Sequence, residues 1–373
     1  MTVITKIKPE VPVSRDPARA HTLPARSYYD PDIHEREKDA VFFRSWWLAG
    51  HVSRLGAPGS YLTTRIHEQN VFVVRGRDGE LRAFYNVCQH RGHELLAGEG
   101  KTAVITCPYH AWCYGLDGKL RNARNTDDVA DFDPADFNLP SVRIEVFCGF
   151  VFVNLDPEAE PLADLTGDLE SEIRSYVPRL DELAFTQRDR YDIAANWKVV
   201  IDNFLECYHC DPAHRDFVDL VDMPSYRSVC HPYYSSHVST ELRTASGSAY
   251  RISGGAEFGF AGWYLWPNLT IWVMPGEANI ATMQMIPAGP DGTVEHLDWY
   301  CLDGSPTAEL REAMTYIDRV LQPEDIGLCE SVQRGLKSFG YNQGRFVVDQ
   351  KDSELSEHAV HHFQQLVLNA LGD

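Results

Sequence analysis

FYNVCQHRGHELL (residues 84–96) sets Cys88 and His90 two positions apart, and TCPYHAWCYGLDG (residues 106–118) sets Cys107 and His110 three apart. Sixteen residues separate His90 from Cys107. Two Cys and two His in paired clusters suit a tetrahedral zinc site. They equally suit a two-iron cluster in which two thiolates hold one iron and two imidazoles the other. Spacing separates the two readings: zinc knuckles usually leave two or more residues between ligands, and C-x-H leaves one. Each loop supplies one thiolate and one imidazole, as an iron pair with unlike ligand sets requires. Apolar and glycine residues around the loops would shield the sulfurs. Cys113, close to His110, reads as a buried thiol.

Working outward, 373 residues are enough for two cored domains. Hydrophobic content of 44% and charged content of 24% are ordinary for a globular chain. The longest apolar run, FCGFVFVNL (147–155), is too short to span a bilayer and reads as a buried strand. The opening MTVITKIKPEVPVSRDP lacks a secretory apolar core, so a cytoplasmic chain is expected. Nine cysteines then suggest ligands and buried thiols, not a disulfide framework. A formal charge of −20 excludes nucleic acid and anionic membrane as partners and is compatible with a cationic substrate or a basic protein.

Residues 1–40 are polar and Pro-punctuated, an expected N-terminal arm. Residues 41–156 carry β signals, with Asp78-Gly79 and Asp117-Gly118 as hairpin turns; Asp291-Gly292 marks another late in the chain. Residues 157–373 add helical periodicity. LADLTGDLESEIRSYV (162–177) reads as a helix, SPTAELREAMTYIDRVL (305–321) and EDIGLCESVQRGLKS (324–338) as two helices divided at Pro323, and ELSEHAVHHFQQLVLNAL (354–371) as an amphipathic one. The expected class is α+β: a small β domain, then a larger mixed one.

ECYHCDPAH (206–214) is the second cluster of ligand-type side chains. It admits a C-x-x-C redox pair, half a zinc site, or part of an iron site. His209 and His214 are too far around an ideal helix to share a metal, but Pro212 breaks that helix and lets His214 swing back. Glu206, three before His209, shares its face. No βαβ context supports a redox pair, and Cys207 and Cys210 read as buried thiols packing around the site. His358, His361 and His362 read as a solvated helix face. Asp202 and Asn203 either tune the site or cap a turn.

These motifs together resemble the Rieske non-haem iron oxygenases: the two loops above, NWKVVIDNFLECYHCDPAH (196–214) and QPEDIGLCESVQRGL (322–336). The resemblance implies an all-β Rieske domain followed by a helix-grip-like catalytic domain with an antiparallel sheet. It implies that Cys88, His90, Cys107 and His110 hold a Rieske [2Fe–2S] cluster, with His93 outside the pattern. His209, His214 and Asp325 would hold one mononuclear iron as a 2-His-1-carboxylate triad, Glu324 being the adjacent rival. Glu206 would bridge His209 to His110 of the partner subunit, in a head-to-tail trimer. Glu at that position resembles the branch that oxidises quaternary amines such as carnitine, glycine betaine and choline. No G-x-G-x-x-G follows a strand, so the reading requires a separate NAD(P)H-dependent reductase, which in the family carries flavin and a plant-type [2Fe–2S] centre.

WYLWPNLTIW (263–272) supplies Trp263, Tyr264 and Trp266, with Trp272 beyond them, as an expected aromatic cage for a trimethylammonium group, or else as core. The expected reaction is hydroxylation leading to C–N cleavage or N-demethylation. Competing expectations are an oxygenase acting on aromatic compounds and a zinc-stabilised binding protein without redox activity.

Overall fold

The structure, a computed structural model, describes residues 6–243, 247–252 and 258–372. The chain divides into two compact units, Phe42–Glu170, and Met1–Val41 together with Ser171–Asp373. Among the described residues no helix is long and apolar enough to cross a membrane.

The first unit is all-β. Its strands are β1 (Trp47–His51), β2 (Ser60–Ile66), β3 (Gln69–Arg75), β4 (Leu81–Tyr85), β5 (Glu99–Lys101), β6 (Ile105–Thr106), β7 (Cys113–Tyr114), β8 (Leu120–Asn122), β9 (Ser141–Phe147) and β10 (Phe150–Asn154). Seven form an antiparallel sheet in the order β1-β10-β9-β4-β3-β2-β5, and β6-β7-β8 form a second. Both Asp-Gly turns of this unit fall where expected, with Gly79 and Gly118 at positive φ. The apolar run 147–155 is not one strand. Cys148 and Gly149, both at positive φ, form a tight turn between β9 and β10, and only β10 is buried along its whole length. Apolar content hid the turn, because a buried hairpin needs no polar residue at its tip. Phe72, Phe84, Ile105, Trp112 and Tyr114 make a core that includes Cys88 and Cys107.

The second unit holds a seven-stranded antiparallel sheet, in the order β11-β17-β16-β15-β14-β13-β12. Its strands are β11 (Leu183–Ile193), β12 (Tyr226–Cys230), β13 (Tyr234–Ser239), β14 (Phe260–Leu265), β15 (Leu269–Val273), β16 (Asn279–Pro287) and β17 (Thr293–Leu302). Helices Trp197–Phe204, Gln322–Leu336 and His358–Leu371 accompany it. The N-terminal segment belongs to this unit: Leu23 N–H donates to Gln364 Oε1 at 2.7 Å, and Ala20, Leu23, Ala25 and Tyr28 are buried.

Three sequence expectations change here. Residues 162–177 are not one helix: Leu162–Thr166 ends at Gly167, whose positive φ no helix continues through, and Leu169–Tyr176 starts anew. Pro323 does not divide two helices. Ala308–Tyr316 runs through a π-helical stretch, Ile317–Leu321, directly into Gln322–Leu336. The wider turn accommodates the residue that would break an ordinary one, and such turns recur at functional sites. The histidines of the last helix are not a solvated face. His361 is buried with Nε2 against Ser14 O at 2.8 Å, and His358 Nε2 lies 3.0 Å from Ser228 O.

Candidate metal centres

In the first unit the two cysteine loops share one backbone design. Cys88 N–H donates to His93 O and Gly92 N–H returns to Cys88 O; Cys107 N–H donates to Trp112 O and Ala111 N–H returns to Cys107 O. The fifth residue of each loop, Gly92 or Ala111, is left-handed. These matched loops bring two cysteines buried to 2% and two imidazoles whose rings are 4.6 Å apart. Trp112 stacks on His90 at 4.8 Å, and Tyr114 Oη lies 3.3 Å from Cys88 Sγ. Burial pushes the Cys88 thiol up. His110 Nδ1 is buried with no hydrogen-bond partner. His93 is exposed, with Nδ1 against Glu94 O, and Cys113 is half-buried against Ala111 O.

In the second unit the site begins with the helix Trp197–Phe204, capped by Asn196, whose side chain accepts from Lys198 N–H. The fully buried pair Lys198–Glu37, 2.5 Å apart, and the bond from Trp197 Nε1 to Glu37 Oε2 at 2.9 Å fix this helix. Its last turn presents Asn203, whose Nδ2 donates to Asp325 Oδ1 at 2.7 Å. Asp202 turns the other way, accepting from Tyr28 Oη and Gln364 Nε2.

The chain then makes a one-turn helix, Cys210–Ala213, with His209 before it and His214 after it. His214, at φ −118° and ψ 65°, leaves helical geometry, so the two Nε2 atoms converge to 3.1 Å. Asp325, in the first turn of Gln322–Leu336, places Oδ1 3.0 Å from His214 Nε2 and 3.4 Å from His209 Nε2. One ligand atom from each of the three lies within 4.8 Å of the others. Behind the imidazoles, His209 Nδ1 meets Glu206 Oε1 at 2.6 Å and His214 Nδ1 meets Glu324 Oε2 at 2.8 Å. Burial opposes charge on His209, yet the Asp325 and Glu206 carboxylates outweigh it and push its pKa up to about 10. Burial likewise opposes ionisation of Asp325, while bonds from His209 and His214 hold it well below the usual carboxylate range. Two imidazoles and a carboxylate, with two further carboxylates behind the rings, make a donor set that suits a divalent cation.

Cys207 and Cys210 are buried as expected, but they are not free thiols. The turn around His209 brings their Cα atoms to 4.9 Å, within disulfide reach, and the structure pairs them. Cys207–Cys210 is the one disulfide among the described residues.

A cavity opens beside the three ligand-type groups. Phe204, Phe217, Tyr226, Phe260 and Trp272 supply its aromatic lining, with Met274 and Met283 beside them. Gly262 makes room for two of these rings, since a Cβ there would meet the Phe260 ring at 2.9 Å and Phe204 at 3.5 Å. Trp263, Tyr264 and Trp266 do not line this cavity. Trp263 sits against Tyr176, and Tyr264 donates to Pro267 O and meets Phe363 edge-on. Strand alternation sends Trp263 to the opposite face of β14 from Phe260 and Gly262, and Tyr264 lies further along the strand, under the last helix. Of the quoted run only Trp272 lines the cavity. The remaining aromatics come from other elements, and no local pattern marks them.

Comparison with known proteins gives a consistent picture. The family model of the Rieske [2Fe-2S] domain matches residues 45–133, and that of the ring hydroxylating alpha subunit (catalytic domain) matches residues 180–373. The chain is 40% identical to the carnitine monooxygenase oxygenase subunit of Escherichia coli (strain K12), covering 96% of each. It is 28% identical to the chloroplastic choline monooxygenase of Spinacia oleracea, over 97% of this chain and 80% of that protein. A solved quaternary ammonium Rieske monooxygenase, described for carnitine oxidation and inter-subunit electron transfer, superposes with a TM-score of 0.91 at 37% identity, over 97% of this chain and 99% of the other.

Proposed function

The chain belongs to the Rieske oxygenases, with a ring hydroxylating alpha subunit domain as its larger part, and from that premise we propose that it is the oxygenase component of a two-component monooxygenase hydroxylating a quaternary ammonium compound. Its cofactors are a Rieske [2Fe–2S] cluster and a mononuclear iron. In this reading residues 41–156 are the Rieske domain, residues 157–373 the catalytic domain and residues 1–40 an arm on the catalytic domain. Cys88, His90, Cys107 and His110 hold the cluster; His209, His214 and Asp325 hold the iron. The donor sets fit. A buried, unpartnered His110 Nδ1 is natural for an atom reserved for a metal. Two imidazoles and a carboxylate converging beside an open cavity suit a facial triad.

When bound, the cluster supplies single electrons and the iron supplies the position at which O₂ is activated. Converting C–H to C–OH with O₂ consumes two electrons and two protons and releases water. We assign the electrons to a separate NAD(P)H-dependent reductase carrying flavin and a plant-type [2Fe–2S] centre. We assign Glu206 as the bridge from His209 to His110 of the partner subunit, in a cytoplasmic homotrimer. Support for the bridge is the Glu206–His209 bond and the inter-subunit transfer described for the solved relative. Asn203 steadies Asp325, and the aromatic walls hold the substrate and exclude bulk water.

One observation carries the substrate class: the ligand triad opens onto an aromatic cavity. A trimethylammonium group has no N–H to donate, so aromatic faces recognise it, each contact contributing about 0.5–2 kcal/mol. Relatives named for carnitine and choline support the class. The product is a carbinolamine-type intermediate that breaks down by C–N cleavage, or an oxidised alcohol carbon. The test is NADH-driven O₂ consumption by iron-replete protein with a class-matched reductase. Its substrates are carnitine, γ-butyrobetaine, glycine betaine, choline, stachydrine and several methoxybenzoates, with products identified by mass spectrometry. Coupled turnover of an ammonium compound is expected; turnover of the methoxybenzoates alone would overturn the reading.

A further inference from the structure

His214 is held at both ring nitrogens by neighbouring acids of one helical turn. Its Nε2 faces Asp325 Oδ1 at 3.0 Å, and its Nδ1 faces Glu324 Oε2 at 2.8 Å. His209 is arranged alike, with Nδ1 on Glu206 Oε1 at 2.6 Å and Nε2 turned inward, 3.1 Å from the other Nε2. Both imidazoles thus point Nε2 at the same spot, and both are braced at Nδ1 by a glutamate. An imidazole that donates its Nδ1 proton to a carboxylate keeps its lone pair on Nε2 and cannot rotate without losing that bond.

We propose that Glu324 is a positioning residue for the mononuclear iron, the counterpart on His214 of Glu206 on His209, and not a ligand. The proposal rests on reading His209, His214 and Asp325 as the iron site. Adjacent residues of a helix point about 100° apart, so Glu324 and Asp325 approach His214 from different sides. Asp325 takes the inner edge, which the ligand atoms share, and Glu324 takes the outer edge. Exposure agrees: the His214 side chain is 3% exposed, whereas that of Glu324 is 37% exposed. The acid therefore closes the outer rim of the site and denies His214 Nδ1 to solvent. Both acids lie in the first turn of Gln322–Leu336. The π-helical stretch before it delivers that turn to the site.

Outer carboxylates that orient a metal-bound imidazole typically contribute 10- to 100-fold in metal affinity. The test compares full-length Glu324→Ala, Glu324→Leu, Glu324→Gln and Glu324→Asp with Asp325→Ala. It measures Fe(II) dissociation constants by chelator competition and, at saturating iron, the electron paramagnetic resonance of the nitric oxide adduct. Circular dichroism and thermal melting monitor folding, and cluster absorbance monitors the Rieske centre. Glu324→Ala is expected to bind Fe(II) about 10- to 100-fold more weakly, with an altered nitric oxide spectrum and an unchanged cluster. Glu324→Gln and Glu324→Asp, which keep an acceptor, should recover much of the loss, and Glu324→Leu, of similar size but without an acceptor, is expected to bind Fe(II) as weakly as Glu324→Ala and carries the test should Ala fail to fold. Wild-type affinity and spectrum in Glu324→Ala would overturn the proposal, and so would iron loss as complete as in Asp325→Ala, which would make Glu324 a ligand. Retention of iron by Asp325→Ala would instead overturn the site reading on which the proposal depends.

Discussion

Replacing Trp272 with leucine removes one aromatic face from the cavity while leaving an apolar side chain in place. Trp272 is 4% exposed, meets Trp299 edge-on at 5.1 Å, and its indole N–H has no hydrogen-bond partner. The ring therefore acts as a surface and not as a donor. A cation–π contact there contributes about 0.5–2 kcal/mol, with the upper end proper to a desolvated wall. At 1.4 kcal/mol per tenfold, binding of the ammonium substrate should weaken about 2- to 30-fold. The same change also removes apolar contact, so the assay needs a control ligand of equal shape. The uncharged isostere, with a tert-butyl group for trimethylammonium, serves. Equilibrium binding of both ligands to iron-replete wild type and Trp272→Leu, with KM and kcat for the ammonium compound, separates the charge-dependent part. Any loss of stability is common to both ligands and cancels in the ratio. Equal weakening for cation and isostere would refute recognition of charge by this ring, and no weakening of either would remove Trp272 from substrate binding.

Other outcomes follow from the same geometry. Glu206→Gln should retain both metal centres by metal analysis and slow reoxidation of the reduced cluster in single-turnover absorbance; loss of the mononuclear iron would make Glu206 a ligand. Glu37→Gln leaves the Lys198 ammonium buried without its counter-charge, and urea unfolding should show destabilisation of about 3–5 kcal/mol. His237 is enclosed between Tyr226 Oη and Ser235 Oγ, and burial lowers its pKa to about 3. Its folded pKa lies below the unfolded value of about 6.5, so its contribution is complete above that pH and is lost as pH falls toward 3. Relative to His237→Asn, the wild-type unfolding free energy should fall by up to about 1.4 kcal/mol per pH unit through that window, and parallel pH profiles would refute the assignment.

Local chemistry is the part of this protein that its sequence makes legible. C-x-H and C-x-x-H lie in loops of a few residues that close through their own backbone, so spacing alone carries nearly all of their geometry. ECYHCDPAH behaves likewise: Pro212 and the short turn around it bring His209 and His214 together. Hairpins at Asp78-Gly79 and Asp117-Gly118 are legible because only certain residues tolerate such turns. Tertiary structure alone decided what faces what. The cavity gathers Phe204, Phe217, Tyr226, Phe260 and Trp272 from separate elements, while Trp263 and Tyr264, adjacent on one strand, are turned to Tyr176 and to Phe363. Strand parity and neighbouring packing make that choice, and neither is written in a ten-residue window. Likewise a π-helical turn absorbed Pro323, and the Cys207–Cys210 disulfide formed because a turn closed on itself. Glu324 met the outer edge of His214 because the strand order and helix packing of the second unit carry residues 110 apart in sequence to hydrogen-bond distance.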